Sequence, residues 1–229
     1  VTLIAALEER ARGGNPDFSV IPGIAYRDAD GKFARSLTPP MRRKDIDDIP
    51  WPAWDLTPIE KYLDSGSGFG VSKGRNMPIV GSRGCPYACT FCSNEDMWTR
   101  KWEARDYVAV VDEIEHYHQT YGAVNFPFQD LTAILKRDWI IDFCKELLAR
   151  DLKVTWQFPS GTRCEVIDDE VAQLLAATGG RSLAFAPESG SERTRKLIKK
   201  RMKTESLMNA VDASVRNKLN IPLRWGPGV

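Results

Sequence analysis

A chain of 229 residues, 42% hydrophobic and 28% charged, has the length for one large domain or two small ones and the composition of a globular protein that buries a core. Its 32 basic and 31 acidic residues leave a formal charge of +1, so overall charge gives no sign of nucleic acid or an anionic membrane as a partner. No apolar run approaches the roughly 18 residues that span a bilayer and no charged-then-apolar leader opens the chain, so a cytoplasmic protein without a transmembrane segment is expected, read as a fragment because Val1 already stands in a helical pattern.

The chain opens on "VTLIAALEERARGG", an amphipathic helix carried by Leu3, Ile4 and Leu7 and stopped at Gly13 and Gly14. Two short apolar runs then flank Asp28 to Gly31 in the manner of a hairpin. The next stretch, from "TPPMRRKDIDDIPWPAWDL" to "SGSGFG", is rich in proline and then in glycine and serine, and reads as a linker laid over a surface. The expected division is 1–38, a linker over 39–76, and a core over 77–229.

From Met77 the pattern changes to strands alternating with helices. "MPIVGS" is a buried strand leading into "SRGCPYACTFCSN". Tyr107, Val110, Val111, Ile114, Tyr117 and Tyr121 keep helical spacing up to Gly122. "AVNFPF" is a second strand, and Trp139, Ile140, Phe143 and Leu147 form one face of the helix after it. "KVTWQF" is a third strand, "DDEVAQLLAATGG" a helix with acidic residues at its start and glycine at its end, and "SLAFA" a fourth strand. Ser191 caps a helix through "ERTRKLIKK", another helix starts at Thr204, and "NIPLRW" begins a fifth strand. This alternation predicts an α/β fold with a parallel sheet or barrel. A full eight-unit barrel takes roughly 200 to 250 residues, and the chain after Met77 is shorter than that, so a partial (β/α) barrel is expected.

Five cysteines, three of them clustered, fit reduced metal ligands better than a disulfide framework. Cys85, Cys89 and Cys92 come from one loop, and no fourth cysteine or histidine stands nearby in sequence. His116 and His118 lie on a predicted helix and read as surface or boundary residues, and Cys144 reads as a small apolar residue of a buried face. Cys164 follows the third strand and could complete a four-ligand zinc site. Three close thiolates equally suit a four-iron four-sulfur (4Fe-4S) cluster with one iron left open to a ligand. Both readings stand on spacing alone.

"CPYACTFC" after a first strand, with Phe91 before the last cysteine, resembles the signature of radical S-adenosylmethionine (SAM) enzymes. "DIDDIPWPAWDLTPIEKYL" is similar to the segment that precedes the barrel in their cobalamin-dependent group, which includes anaerobic magnesium-protoporphyrin monomethyl ester cyclases and methyltransferases. "NFPFQDL" and "FAPESGSERTRKLIKK" resemble that group's second- and fourth-strand motifs. The resemblance implies that residues 1–38 are the last part of a cobalamin-binding domain, with cobalamin a possible cofactor of a longer protein. It implies that Cys85, Cys89 and Cys92 hold the cluster and that SAM occupies the open iron. Phe91 would seat the adenine, and Asp130 and Gln129 would meet the SAM amino group. Glu188 and Ser189 would reach the ribose or amino-acid part, and Arg163 would pair with the SAM carboxylate. No catalytic residue beyond these cofactor contacts is assigned.

The activity implied is reductive cleavage of SAM to a 5'-deoxyadenosyl radical, serving methyl transfer or oxidative cyclisation of a small or lipophilic substrate. An external one-electron donor such as flavodoxin or ferredoxin would supply the electron. A tRNA methylthiotransferase is the alternative within the superfamily, but it calls for a cysteine set before Cys85, and none is present. A zinc-stabilised binding module is the alternative outside it. The charge of "KLIKKRMK" reads as a solvated helix face, and an incomplete barrel is expected to turn over poorly by itself.

Overall fold

The computed structural model describes residues 2–39, 45–66, 68–98 and 100–225. Residues 40–44 of the expected linker, Ser67 in its glycine-serine run and the closing "GPGV" lie outside the described residues. The chain divides into two compact units, Val1–Asp45 and Ile46–Val229. Among the described residues no helix is long and apolar enough to cross a membrane.

The first unit contains α1 (Leu3–Ala11) and a hairpin of β1 (Ala25–Arg27) and β2 (Phe33–Arg35). Thr2 caps α1 by accepting from the Ala5 N–H at 3.3 Å. The strands pair antiparallel in the register Tyr26 to Ala34, and the Asp28 carboxylate closes the turn by accepting from the N–H groups of Asp30 and Lys32. Helix and hairpin therefore stand where periodicity and turn chemistry placed them.

The second unit is built on parallel pairing. Residues 76–79 bridge in parallel to β5 (Asn125–Pro127), and β5 is followed in spatial and chain order by β6 (Thr155–Thr162), β7 (Gly180–Glu188) and β8 (Leu223–Trp225). The register runs Phe126 to Trp156, Phe158 to Leu183 and Phe185 to Leu223. This is the α/β fold of a partial barrel. Helices α4 (Tyr107–Tyr121), α5 (Arg137–Ala149), α6 (Asp169–Ala177) and α8 (Thr204–Arg216) connect the strands, with short α7 (Glu192–Leu197) before α8. Asp106 caps α4 by accepting from Val108 and Ala109, and Asp168 caps α6 by accepting from Val171.

Helix spacing delivers the core. Val110, Val111 and Ile114 of α4 and Ile140, Phe143, Cys144 and Leu147 of α5 are buried. Phe128, Phe143, Trp156 and Phe158 meet edge-to-face with centroids 5.0–6.0 Å apart. Full withdrawal of each such ring from water stabilises the fold by roughly 2–3 kcal/mol. Cys144 behaves as the apolar residue expected, its thiol pushed up to about 12 by burial.

The expected linker departs from a surface strap. Ile59 and Leu63, on α2 (Ile59–Asp64), belong to the core, and Ile46 is buried as well. Farther along, Gln157 of β6 accepts from the Val71 N–H at 2.8 Å and donates to the Val71 carbonyl at 2.7 Å. Asn125 donates to Asn76 at 2.6 Å and to the Val71 carbonyl at 3.1 Å. Residues 46–76 are thus integrated with the second unit by buried side chains, and the observed boundary falls at Asp45 and Ile46 instead of at residue 38.

Candidate functional site

The cysteine loop begins at β3 (Ser82–Arg83), a two-residue strand paired antiparallel with β4 (Glu103–Ala104). Gly84, at φ 81°, turns the chain out of β3 into Cys85, a conformation only glycine adopts cheaply. After Cys92 the short helix α3 (Asn94–Trp98) closes the loop, and the Asn94 side-chain amide donates to the Cys85 carbonyl at 2.8 Å. Within the loop the Cys92 N–H donates to the Cys89 carbonyl at 3.1 Å. Cys85 and Cys89 are half-buried and Cys92 is exposed. The Thr132 hydroxyl donates to the Cys85 sulfur at 3.3 Å.

Two remote segments hold this loop. Asp130, 3% exposed, accepts from the Gly81 N–H at 3.0 Å and from the Ser82 hydroxyl at 2.5 Å. The Trp102 indole donates to the Ser82 hydroxyl at 3.1 Å and to the Thr132 carbonyl at 2.8 Å. On the other side the Thr90 N–H donates to the Ile198 carbonyl at 3.1 Å, and the Cys89 sulfur lies 3.9 Å from the Lys199 carbonyl. Burial pushes the Cys89 thiol up, and the positive charge of Lys200 acts in the opposite direction.

The remaining residues named from sequence gather at the same end of the sheet in unequal roles. Phe91, 57% exposed, is open to a ligand beside the cysteines. Gln129 is exposed and its amide donates to the Pro127 carbonyl at 3.3 Å. Each carboxylate oxygen of Asp130 accepts from its own chain, which ties it to the start of the loop. Arg163 likewise has internal partners: it donates to Glu165 at 3.0 Å and to the Arg201 carbonyl, and its guanidinium lies 4.0 Å from the centroid of the Tyr87 ring. Its fork is engaged within the chain itself. Glu188, at φ 66°, accepts from Lys200 at 3.3 Å, and the Ser189 hydroxyl accepts from the Ser191 N–H at 3.2 Å.

Sequence reasoning missed Ser82, Tyr87, Thr132 and Lys200. Of these Tyr87, inside "CPYACTFC", carried a visible signal, whereas the others act through contacts with distant segments. A cavity of about 460 Å³ opens between Tyr87 and the residues at and just after the end of α7, among them Lys196, Lys199 and Arg201. None of the six residues named for SAM lines it.

Among the described residues no three His, Cys, Asp or Glu side chains are gathered closely enough to hold one metal ion. A tetrahedral zinc needs four donors around a single point, and Cys164, the proposed fourth, is 1% exposed within the core, its thiol pushed up to about 12 by burial. The zinc arrangement therefore has no support in the geometry. A four-iron cluster asks for thiolates on separate irons, so cysteines that serve it need not converge on a single point.

The radical SAM superfamily matches residues 79–223. The chain is 33% identical to cytidylyl-2-hydroxyethylphosphonate methyltransferase of Streptomyces wedmorensis, over 84% of this chain and 40% of that protein. It is 29% identical to the anaerobic magnesium-protoporphyrin IX monomethyl ester cyclase of Rubrivivax gelatinosus, over 85% of this chain and 34% of that one. Among solved structures it resembles the cobalamin-dependent S-adenosylmethionine radical enzyme OxsB, with a TM-score of 0.73 at 19% identity, over 96% of this chain and 31% of OxsB. The chain thus spans well under half the length of each of these proteins.

Proposed function

Because the chain belongs to the radical SAM superfamily, we propose that it forms the SAM-activating part of a cobalamin-type methyltransferase or cyclase. The observation that carries this reading is the loop bearing Cys85, Cys89 and Cys92 at the end of the first parallel position, presented by Asp130 from below and by residues 198–199 from the side. These three cysteines would hold a 4Fe-4S cluster. When bound, such a cluster supplies the electron that cleaves SAM to methionine and a 5'-deoxyadenosyl radical.

The chain's own residues would bind and orient. Phe91 offers an open aromatic face to the adenine, and Gln129 an exposed amide at the end of the second parallel position. Glu188 and Ser189 offer polar atoms at the end of β7, with the Glu188 carboxylate steadied by Lys200. The cysteine thiols must lose their protons on metallation; burial holds the Cys89 thiol up, and the positive charge of Lys200 acts against that. By analogy with the relatives named above, which by name act on a cytidylyl phosphonate and a porphyrin ester, the substrate would be a small or lipophilic molecule. Residues 1–38 would belong to a cobalamin-binding domain, and an external one-electron donor would serve the cluster.

Anaerobic reconstitution with iron and sulfide, followed by low-temperature EPR of the reduced protein, tests this reading. A four-iron signal that changes on adding SAM is expected, and Cys89→Ala is expected to abolish it. Stoichiometric zinc with no iron-sulfur signal under those conditions would overturn the reading.

A further inference from the structure

The side of the rim where the cysteine loop meets α7 is strongly cationic, although the chain as a whole carries only +1. Residues 192–203 hold seven basic side chains against a single acidic one. Lys196, Lys199 and Arg201, with Arg100 opposite, line the cavity of about 460 Å³ against Pro86, Tyr87 and Ala88 of the cysteine loop. All four of these cations are exposed, and none makes an ion pair within 4.0 Å among the described residues. Leu197, 70% exposed, adds an apolar contact in their midst.

From this arrangement we propose that the cationic rim is the docking surface for an acidic one-electron donor protein. The inference rests on the radical SAM reading of the cysteine loop. Three observations favour a protein over a small phosphate-bearing ligand. The buried guanidinium forks that grip phosphate are already engaged: Arg163 as described, and Arg195 by the carbonyls of Met202 and Ser189 at 2.9 and 2.6 Å. What remains is exposed, unpaired charge on flexible stems, suited to steering a partner and releasing it. Finally, the patch abuts the cysteines, with Lys199 contributing its carbonyl 3.9 Å from the Cys89 sulfur, so a protein seated there brings its redox centre close to the metal loop. One electron passes from the reduced donor to the cluster, the donor being oxidised and the cluster reduced, with no proton or group transferred.

The test uses the reconstituted chain and reduced flavodoxin, an acidic donor, with reduced methyl viologen as a small cationic control. Stopped-flow oxidation of flavodoxin is expected to slow steeply as salt rises, and Lys196→Glu with Arg201→Glu is expected to slow it about tenfold or more at low salt. The neutral pair Lys196→Gln with Arg201→Gln should show an intermediate loss, while reduction by viologen and the EPR signal stay as in the parent. Flavodoxin rates indifferent to these changes and to salt, with viologen still reducing the cluster, would overturn the docking surface and leave the radical SAM reading intact. Retention of single-stranded RNA in preference to flavodoxin, abolished by the same reversals, would overturn it in favour of a nucleic-acid face. Absence of any cluster reducible by viologen would overturn both readings together.

Discussion

Asp130 is withdrawn from water just past β5, and burial raises its carboxyl to about 6 against the hydrogen bonds from Ser82 and Gly81 that pull it down. An acid whose folded pKa exceeds its unfolded one holds its proton more tightly when folded. Its contribution to stability is therefore fully present below the unfolded value of 3.8 and is lost as pH rises through about 6. A shift of about two units corresponds to about 3 kcal/mol at neutral pH. Asp130→Asn, which keeps an acceptor oxygen and discards the charge, is expected to remove this loss. Urea midpoints at pH 4.5 and 7.5 should differ less in the variant than in the parent. The sequence located Asp130 at a strand end but not its duty, because Ser82, the group it holds, stands 48 residues away.

At the scale of elements, the helices were legible where apolar spacing and caps agree, as in α4 between Asp106 and Gly122 and in α6 after Asp168. The strands were located correctly but not measured: β6 and β7 run on to Thr162 and Glu188, beyond "KVTWQF" and "SLAFA". Helix α7 stops at Leu197, short of the lysines that continue the expected helix, because Lys199 takes φ 56°. A left-handed lysine leaves no sequence signal. The pairing of β3 with β4 was equally invisible, being only two residues long. Gly179 is a clearer case, read from sequence only as a helix stop. At φ 89° it passes so close to β6 that a Cβ would sit 2.1 Å from the Val154 carbonyl oxygen. Gly179→Ala is expected to destabilise by about 2–4 kcal/mol, measured by chemical denaturation, through both strain and collision.

For the whole molecule, alternating strands and helices were enough to predict a parallel α/β core, and the cysteine spacing was enough to single out the loop on which the proposed function rests. How the rim is braced could not be read in this way. Arg163 joins the end of β6, Tyr87 of the cysteine loop and the Arg201 carbonyl, and no local pattern announces a three-way contact. Arg163→Met removes the charge and the fork while filling much of the volume. It is expected to cost about 2 kcal/mol of stability and to raise amide exchange at Tyr87–Thr90 and Lys199–Met202 together, whereas a role confined to SAM binding would leave exchange in the free protein unchanged. The contact of the Cys89 sulfur with Lys199 spans 110 residues of sequence, and this has a bearing on timing. A loop that looks self-contained in "CPYACTFC" is finished only when β7 and α7 are in place, and contacts so distant in sequence form late because loop closure precedes their reward. Acquisition of a metal by this loop would then mark a chain that has already assembled its sheet as far as β7.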